Sequence, residues 1–133
     1  MNKNSFDEWN GIKKHTEEKD SGPFFYEREV WWCLLGKNIG FEQDGKNDFS
    51  RPVVVLKKFN LDICLVVPLT TANKSGKYYF EIGEIDNKLN KAVISQIRLI
   101  DKKRFVNRID ILNKDVFNNL LEKITEVNFK KSL

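Results

Sequence analysis

The sequence predicts a mainly β (α+β) domain: a small, strongly bent antiparallel sheet of about five to seven strands, closed by a C-terminal helix and preceded by an N-terminal helical extension. Three observations carry this prediction. Runs rich in Val, Ile, Leu, Trp and Tyr recur between turn-forming clusters from residue 28 to residue 100. Two of them, Val53-Val54-Val55-Leu56 and Ile63-Cys64-Leu65-Val66-Val67, are continuous rather than alternating, so the hairpin they form is expected to be buried on both faces. Near the C-terminus, Val116, Phe117, Leu120, Leu121, Ile124 and Val127 recur at helical spacing behind Asn113, a good N-cap, with Asp115 suited to the helix N-terminus.

The remaining elements follow in chain order. Ser5 and Glu8 fit a capping box, and Phe6, Trp9 and Ile12 give an apolar stripe, so residues 5–18 read as a helix; His15 sits in its polar part and reads as solvent-facing. Lys19-Asp20-Ser21-Gly22-Pro23 ends that helix, and Phe24-Phe25-Tyr26 ties the linker to the body. Arg28 to Leu35 is the first strand, with Trp31 and Trp32 on opposite faces. Pro52–Phe59 and Asp62–Leu69 form the hairpin; Asn60 suits its turn, Pro52 opens its strand, and Pro68 belongs at a strand end or bulge. Tyr78 to Glu84 alternates as a strand, Ile85 to Lys91 reads as a polar loop, and Ala92 to Ile100 reads as one more strand that projects Gln96 and Arg98 together among apolar neighbours. Lys102-Lys103-Arg104 reads as a short solvated helix or a basic patch.

Length and composition narrow the function. The 133 residues suit one domain with one core, and 41% hydrophobic and 12% aromatic content indicates a folded chain. The net charge of +4 permits a nucleic-acid partner without requiring one. No apolar run is long enough to span a bilayer and the N-terminus lacks a signal-peptide core, so a cytoplasmic protein without membrane contact is expected. Cys33 and Cys64 lie in apolar runs and are expected to be free and buried; with one histidine and no CxxC or HxxxH spacing, no metal site is expected. The absence of GxxxxGK[ST] and GxGxxG argues against nucleotide hydrolysis and dinucleotide cofactors, and no cofactor is expected.

The candidate site is the stretch 36–71. A long loop, GKNIGFEQDGKNDFS (36–50), brings Phe41, Glu42, Gln43 and Lys46 to one sheet edge and runs directly into Arg51 at a strand start. Such donors and cations suit phosphate. In an antiparallel hairpin the two open ends are neighbours, which sets Arg51 beside Thr70.

Four ordered blocks, WWCLLGKNIGFEQDG (31–45), SRPVVVL (50–56), VVPLTT (66–71) and SQIRLIDKKRF (95–105), resemble the MazF/PemK-like toxins. The resemblance implies an SH3-like barrel of the PemK/CcdB type over residues 26–133, with 1–25 an extension. It further implies a symmetric homodimer, ribosome-independent and metal-independent cleavage of single-stranded RNA such as mRNA, and neutralisation by a small cognate antitoxin protein, with DNA reached only through an antitoxin complex. A non-enzymatic alternative is a module that binds gyrase, as the related CcdB barrel does, or nucleic acid.

By the same resemblance Arg51 and Thr70 match the catalytic arginine and threonine. Arg51 would offer a bidentate fork to the phosphoryl oxygens while Thr70 donates to the phosphate or orients the attacking 2′-hydroxyl. Glu42 is the candidate base, an ordinary loop salt bridge being the alternative; Ser95 stands where some relatives carry an acidic residue. Gln43, Thr71, Gln96 and Arg98 are candidate substrate contacts. Phe41, Phe49 and Trp32 are candidate base platforms, and Lys37, Lys46, Lys57, Lys74, Lys77 and Lys102 candidate backbone contacts.

Overall fold

The computed structural model describes residues 22–36 and 50–131. The predicted helix at 5–18, His15, and the loop residues Lys37, Phe41, Glu42, Gln43, Lys46 and Phe49 lie outside the described residues.

Seven strands form one strongly curled antiparallel sheet: β1 (Glu29–Leu34), β2 (Ser50–Lys58), β3 (Ile63–Thr70), β4 (Tyr79–Ile85), β5 (Lys88–Val93), β6 (Arg98–Asp101) and β7 (Phe105–Ile111). Their order is β4-β5-β3-β2-β1-β7, with β6 also paired to β3. One helix, α1 (Lys114–Ile124), closes the domain near the C-terminus. The predicted class therefore holds, and β2 with β3 is its centre. Val53, Val54, Val55, Val66 and Val67 are fully buried because the sheet carries a core on each face. On one face Val30, Val54, Leu56, Val67 and Leu69 pack with Phe117, Leu120 and Ile124 of α1. On the other, Trp31, Cys33, Val53, Val55, Cys64 and Val66 pack with Phe25, Ile100 and Phe105. Each such aliphatic side chain contributes about 1.5–3 kcal/mol by leaving water.

Local chemistry explains the boundaries. Asn113 Oδ1 accepts from the Val116 N–H at 2.9 Å and starts α1 as its sequence predicts. At the hairpin tip, Asn60 Oδ1 accepts from the N–H groups of Asp62 and Ile63 at 2.8 and 2.9 Å. The first strand begins at Glu29 instead of Arg28, because Arg28 takes a left-handed φ of +79°. That conformation is held by its own N–H to the Val55 carbonyl (2.9 Å) and by the Leu112 N–H to its carbonyl (2.9 Å). Pro52 is the third residue of β2 and not its first, but the ladder to β3 begins at Val53, so the proline sits just outside it.

Two sequence expectations are corrected. Ala92 to Ile100 is two strands broken by a 3₁₀ turn at Ile94–Gln96. Between Leu69↔Ala92 and Val66↔Arg98, β3 advances three residues while its partner chain advances six, and the surplus forms the turn. Pro68, which has no N–H to offer, lies in that unpaired interval. Residues 85–91 are not a loop: Asp86 and Asn87, with φ of +58° and +65°, make a tight two-residue turn from β4 into β5. Lys102–Arg104 is a short 3₁₀ helix, and the stretch after it, for which the sequence offered no reading, is strand β7, paired with β1 from Glu29↔Ile111 to Cys33↔Phe105.

Candidate functional site

The site is built where the open end of the β2–β3 hairpin meets the β4–β5 hairpin. The register Val53↔Pro68, continued two residues outward, sets Arg51 opposite Thr70. Both border a cleft of about 560 Å³ together with Thr71, Trp32, Pro52, Leu69, Asp86, Lys88, Asn90, Asn107 and Ile109. The cleft continues the helix-side core: Trp32 and Pro52 are directly paired and alternate with Val30 and Val54, whose side chains belong to that core. Arg51 pairs with Cys33, and Thr70 alternates with Val66 and Cys64, so both start from the opposite face, at the point where the strands run out. The two faces therefore meet at one rim, with cationic and hydroxyl groups on one side and a slot large enough for a nucleobase on the other.

The electrostatics distinguish Arg51 from Lys58 and Arg108. Among the described residues its side chain has no ion pair or hydrogen bond. Lys58, by contrast, donates to the Phe25 carbonyl at 2.9 Å and stands over the Tyr26 ring at 4.3 Å. Arg108 pairs with the buried Glu29 at 3.1 Å. Thr70 Oγ1 accepts from the Ala72 N–H at 3.1 Å, which fixes the hydroxyl and leaves its own proton to donate.

Other predicted residues fall elsewhere. Gln96 is exposed in the 3₁₀ turn and Arg98 exposed at the start of β6 opposite Val66, so they do not project together from one strand and neither lines the cleft. Arg98 does share the Arg51 face, since Val66 and its partner point the same way. Lys74 is exposed beyond the rim, its carbonyl accepting from Lys91 Nζ. Lys57 and Lys77 are exposed. Lys102 is no backbone-tracking cation: it is only 5% exposed, its N–H donates to the Asp62 carbonyl at 2.7 Å, and its Nζ lies 3.7 Å from the Asp62 carboxylate. The close approach also demands Gly22, whose added Cβ would meet the Lys102 carbonyl at 3.0 Å with φ at +91°.

The two tryptophans divide as their alternation requires. Trp31 is core, stacked on Phe105 at 4.9 Å with its indole N–H donating to Glu29 Oε1 at 2.9 Å, whereas Trp32 is half-buried in the cleft wall. Cys33 and Cys64 are free and buried. Burial pushes Cys33 up to about 11 against the opposing pull of Arg104 and Arg98, and pushes Cys64 up to about 12 with help from Cys33 and Asp101. Neither is a nucleophile at neutral pH. No group of three or more His, Cys, Asp or Glu among the described residues is placed to hold a metal ion.

A sequence model of the PemK-like, MazF-like toxins of type II toxin–antitoxin systems matches residues 26–128. The chain belongs to that family. Solved MazF structures share the fold. The Mycobacterium tuberculosis toxin MazF-mt6 aligns with a TM-score of 0.59 at 18% identity, over 74% of this chain and 94% of that one. MazF from Deinococcus radiodurans gives 0.61 at 15% identity, over 79% and 96%. An endoribonuclease in complex with its cognate antitoxin, from a mycobacterial species, gives 0.58 at 12% identity, over 84% and 100%. Comparison with curated protein sequences yields no match. Among the described residues no helix is long and apolar enough to cross a membrane.

Sequence reasoning missed Asp86, Lys88, Asn90, Asn107 and Ile109 in the cleft lining. Asp86, Lys88 and Asn90 lie in the segment that read as a polar loop, and Asn107 and Ile109 lie beyond the basic run, in a segment for which the sequence offered no reading. The one available signal was Asp86-Asn87, a pair that tolerates left-handed φ and so suits a two-residue hairpin turn.

Proposed function

We propose that this toxin-family chain is a metal-independent, sequence-specific endoribonuclease of single-stranded RNA, acting in the cytoplasm to inhibit growth and translation. The observation that carries the reading is Arg51, without an ion pair or hydrogen bond of its side chain among the described residues, set against Thr70 on the rim of a nucleobase-sized cleft. In such cleavage the 2′-hydroxyl loses its proton and attacks the adjacent phosphorus in line, the bond to the 5′-oxygen breaks with that oxygen taking up a proton to leave as a 5′-hydroxyl, and a 2′,3′-cyclic phosphate is left. Negative charge accumulates on the phosphoryl oxygens as the 2′-oxygen closes. The planar guanidinium of Arg51 neutralises it through two parallel N–H donors, and the Thr70 hydroxyl adds a third. Arginine keeps its proton at neutral pH, so the 2′-hydroxyl proton goes elsewhere, and Glu42 is the candidate acceptor. Phe41, Gln43, Lys46, Thr71, Lys74, Gln96 and Arg98 are the candidate substrate contacts, Arg98 lying on the Arg51 face.

Residues 26–133 form the toxin domain in this reading. Two copies associate as a homodimer, and a cognate antitoxin protein occupies the cationic rim and excludes RNA; DNA is engaged only through the antitoxin complex. The test is a digest of single-stranded RNA by the purified protein in EDTA, with both ends of every fragment mapped. Fragments ending in a 2′,3′-cyclic phosphate are expected. Intact RNA together with a poisoned topoisomerase would replace this reading with the gyrase-binding one, and a metal requirement would remove the metal-free mechanism.

A further inference from the structure

Among the polar residues of the cleft that the cleavage chemistry does not use, Asn90 alone is buried. Asn90 is 3% exposed, and by alternation from Ala92, which is core and pairs with Leu69, its side chain points inward from β5 beneath the cleft. Its Nδ2 donates to the Lys88 carbonyl at 2.9 Å, which fixes the amide plane. Its Oδ1 is the one buried side-chain nitrogen or oxygen among the described residues that has no hydrogen-bond partner. An unsatisfied buried acceptor costs about 1–3 kcal/mol, so an apolar residue in the same place would be more stable unless a ligand supplies a donor.

We propose that Asn90 is a specificity-determining residue that reads the exocyclic amino group of a nucleobase seated in the cleft. The ligand class rests on the RNA reading above; the chemistry of the slot selects within it. The half-buried Trp32 supplies an aromatic wall, and Pro52, Leu69, Ile85 and Ile109 exclude water. Asn90 Oδ1 and the Lys88 carbonyl, the latter already accepting from Asn90 Nδ2, are two acceptors joined through one amide, and Asp86 lines the same cleft. An amino group offers two N–H donors to such a set. Uracil presents one N–H flanked by two carbonyl oxygens, which would face these acceptors with like partial charge. Adenine, cytosine and guanine are therefore accepted and uracil is rejected.

The test uses isotope-labelled full-length protein titrated with AMP, CMP, GMP and UMP, read by NMR at the Asn90 side-chain amide, which is assigned by its disappearance in Asn90→Asp. The amine-bearing nucleotides are expected to shift this signal and to bind at least about tenfold more tightly than UMP, the loss expected for one unmade buried hydrogen bond. Asn90→Asp, which keeps an acceptor, retains the preference, and Asn90→Leu erases it. UMP binding as tightly as the others, or an Asn90 amide unmoved by all four, overturns the proposal. The wild-type comparison decides the matter even if Asn90→Leu does not fold. Because the readout is binding, intact RNA with selective nucleotide binding would count against the nuclease alone. Cleavage with indifferent nucleotide binding would count against the base subsite alone.

Discussion

The two ends of the β2–β3 hairpin are made of similar residues and behave differently. At the turn end two cations have occupations: Lys58 holds the Phe25 carbonyl and covers two aromatic rings, and the buried Lys102 pairs with Asp62 and stands over Phe24. At the open end Arg51 has no such partners among the described residues, and the hydroxyl of Thr70 is positioned but not consumed. A cation satisfied by its own chain strengthens the fold, and one left unsatisfied beside a cleft is available to a ligand. Type and count of charges, which are all that composition supplies, do not separate the two.

The sharpest way to break the contrast is to remove one cation at each end. Arg51→Ala is expected to lower RNA cleavage by about 10²–10³-fold, the effect of losing a preorganised donor to a developing oxyanion, while the urea midpoint stays within error. Cleavage that persists would take Arg51 out of the mechanism. Lys102→Ala should do the reverse, costing about 1 kcal/mol or more through lost stem packing and the Asp62 contact, with cleavage per folded molecule unchanged. A normal midpoint in that variant would show the turn end to be less committed than its geometry indicates.

The smallest effect is a pH dependence, to which the cysteines contribute one at each end, Cys33 paired with Arg51 and Cys64 with Lys58. Burial raises both thiols from 9.0, to about 11 and about 12, so the folded state keeps protons that the unfolded chain releases. Their contribution to stability is whole below about pH 9 and is lost as pH climbs through the folded values. Urea midpoints measured between pH 7 and 11 should fall at the alkaline end, and less steeply in Cys64→Val. Identical slopes for the two proteins would mean that Cys64 ionises as readily in the fold as out of it.

Much of this arrangement was legible beforehand, and the reasons are physical. The continuous valine runs marked the central hairpin because a two-faced core leaves no polar alternation. Arg51 and Thr70 were placed together because antiparallel pairing brings hairpin ends into register. The stripe behind Asn113 specified α1. What escaped was set by tertiary pairing. Strand β7 was hidden because Asn107, Arg108 and Asp110 interrupt its apolar residues, and its place beside β1 depends on a partner some 80 residues away. The break at Ile94–Gln96 depends on where Pro68 falls on a neighbouring strand, which no local window contains. Asn90 carried no signal because a buried amide and a solvated one look alike in a sequence.

The pairing of β1 with β7 also has a temporal meaning. Arg51 and Thr70 lie on a local hairpin that forms early on an emerging chain, whereas Asn107 and Ile109, which complete the cleft, belong to the last strand and find β1 only across most of the polypeptide. A ribosome that has made three quarters of this protein therefore carries the proposed catalytic pair without the proposed base slot. The selective nuclease proposed here would arise only once β7 has left the exit tunnel, which would limit cleavage of its own message during synthesis.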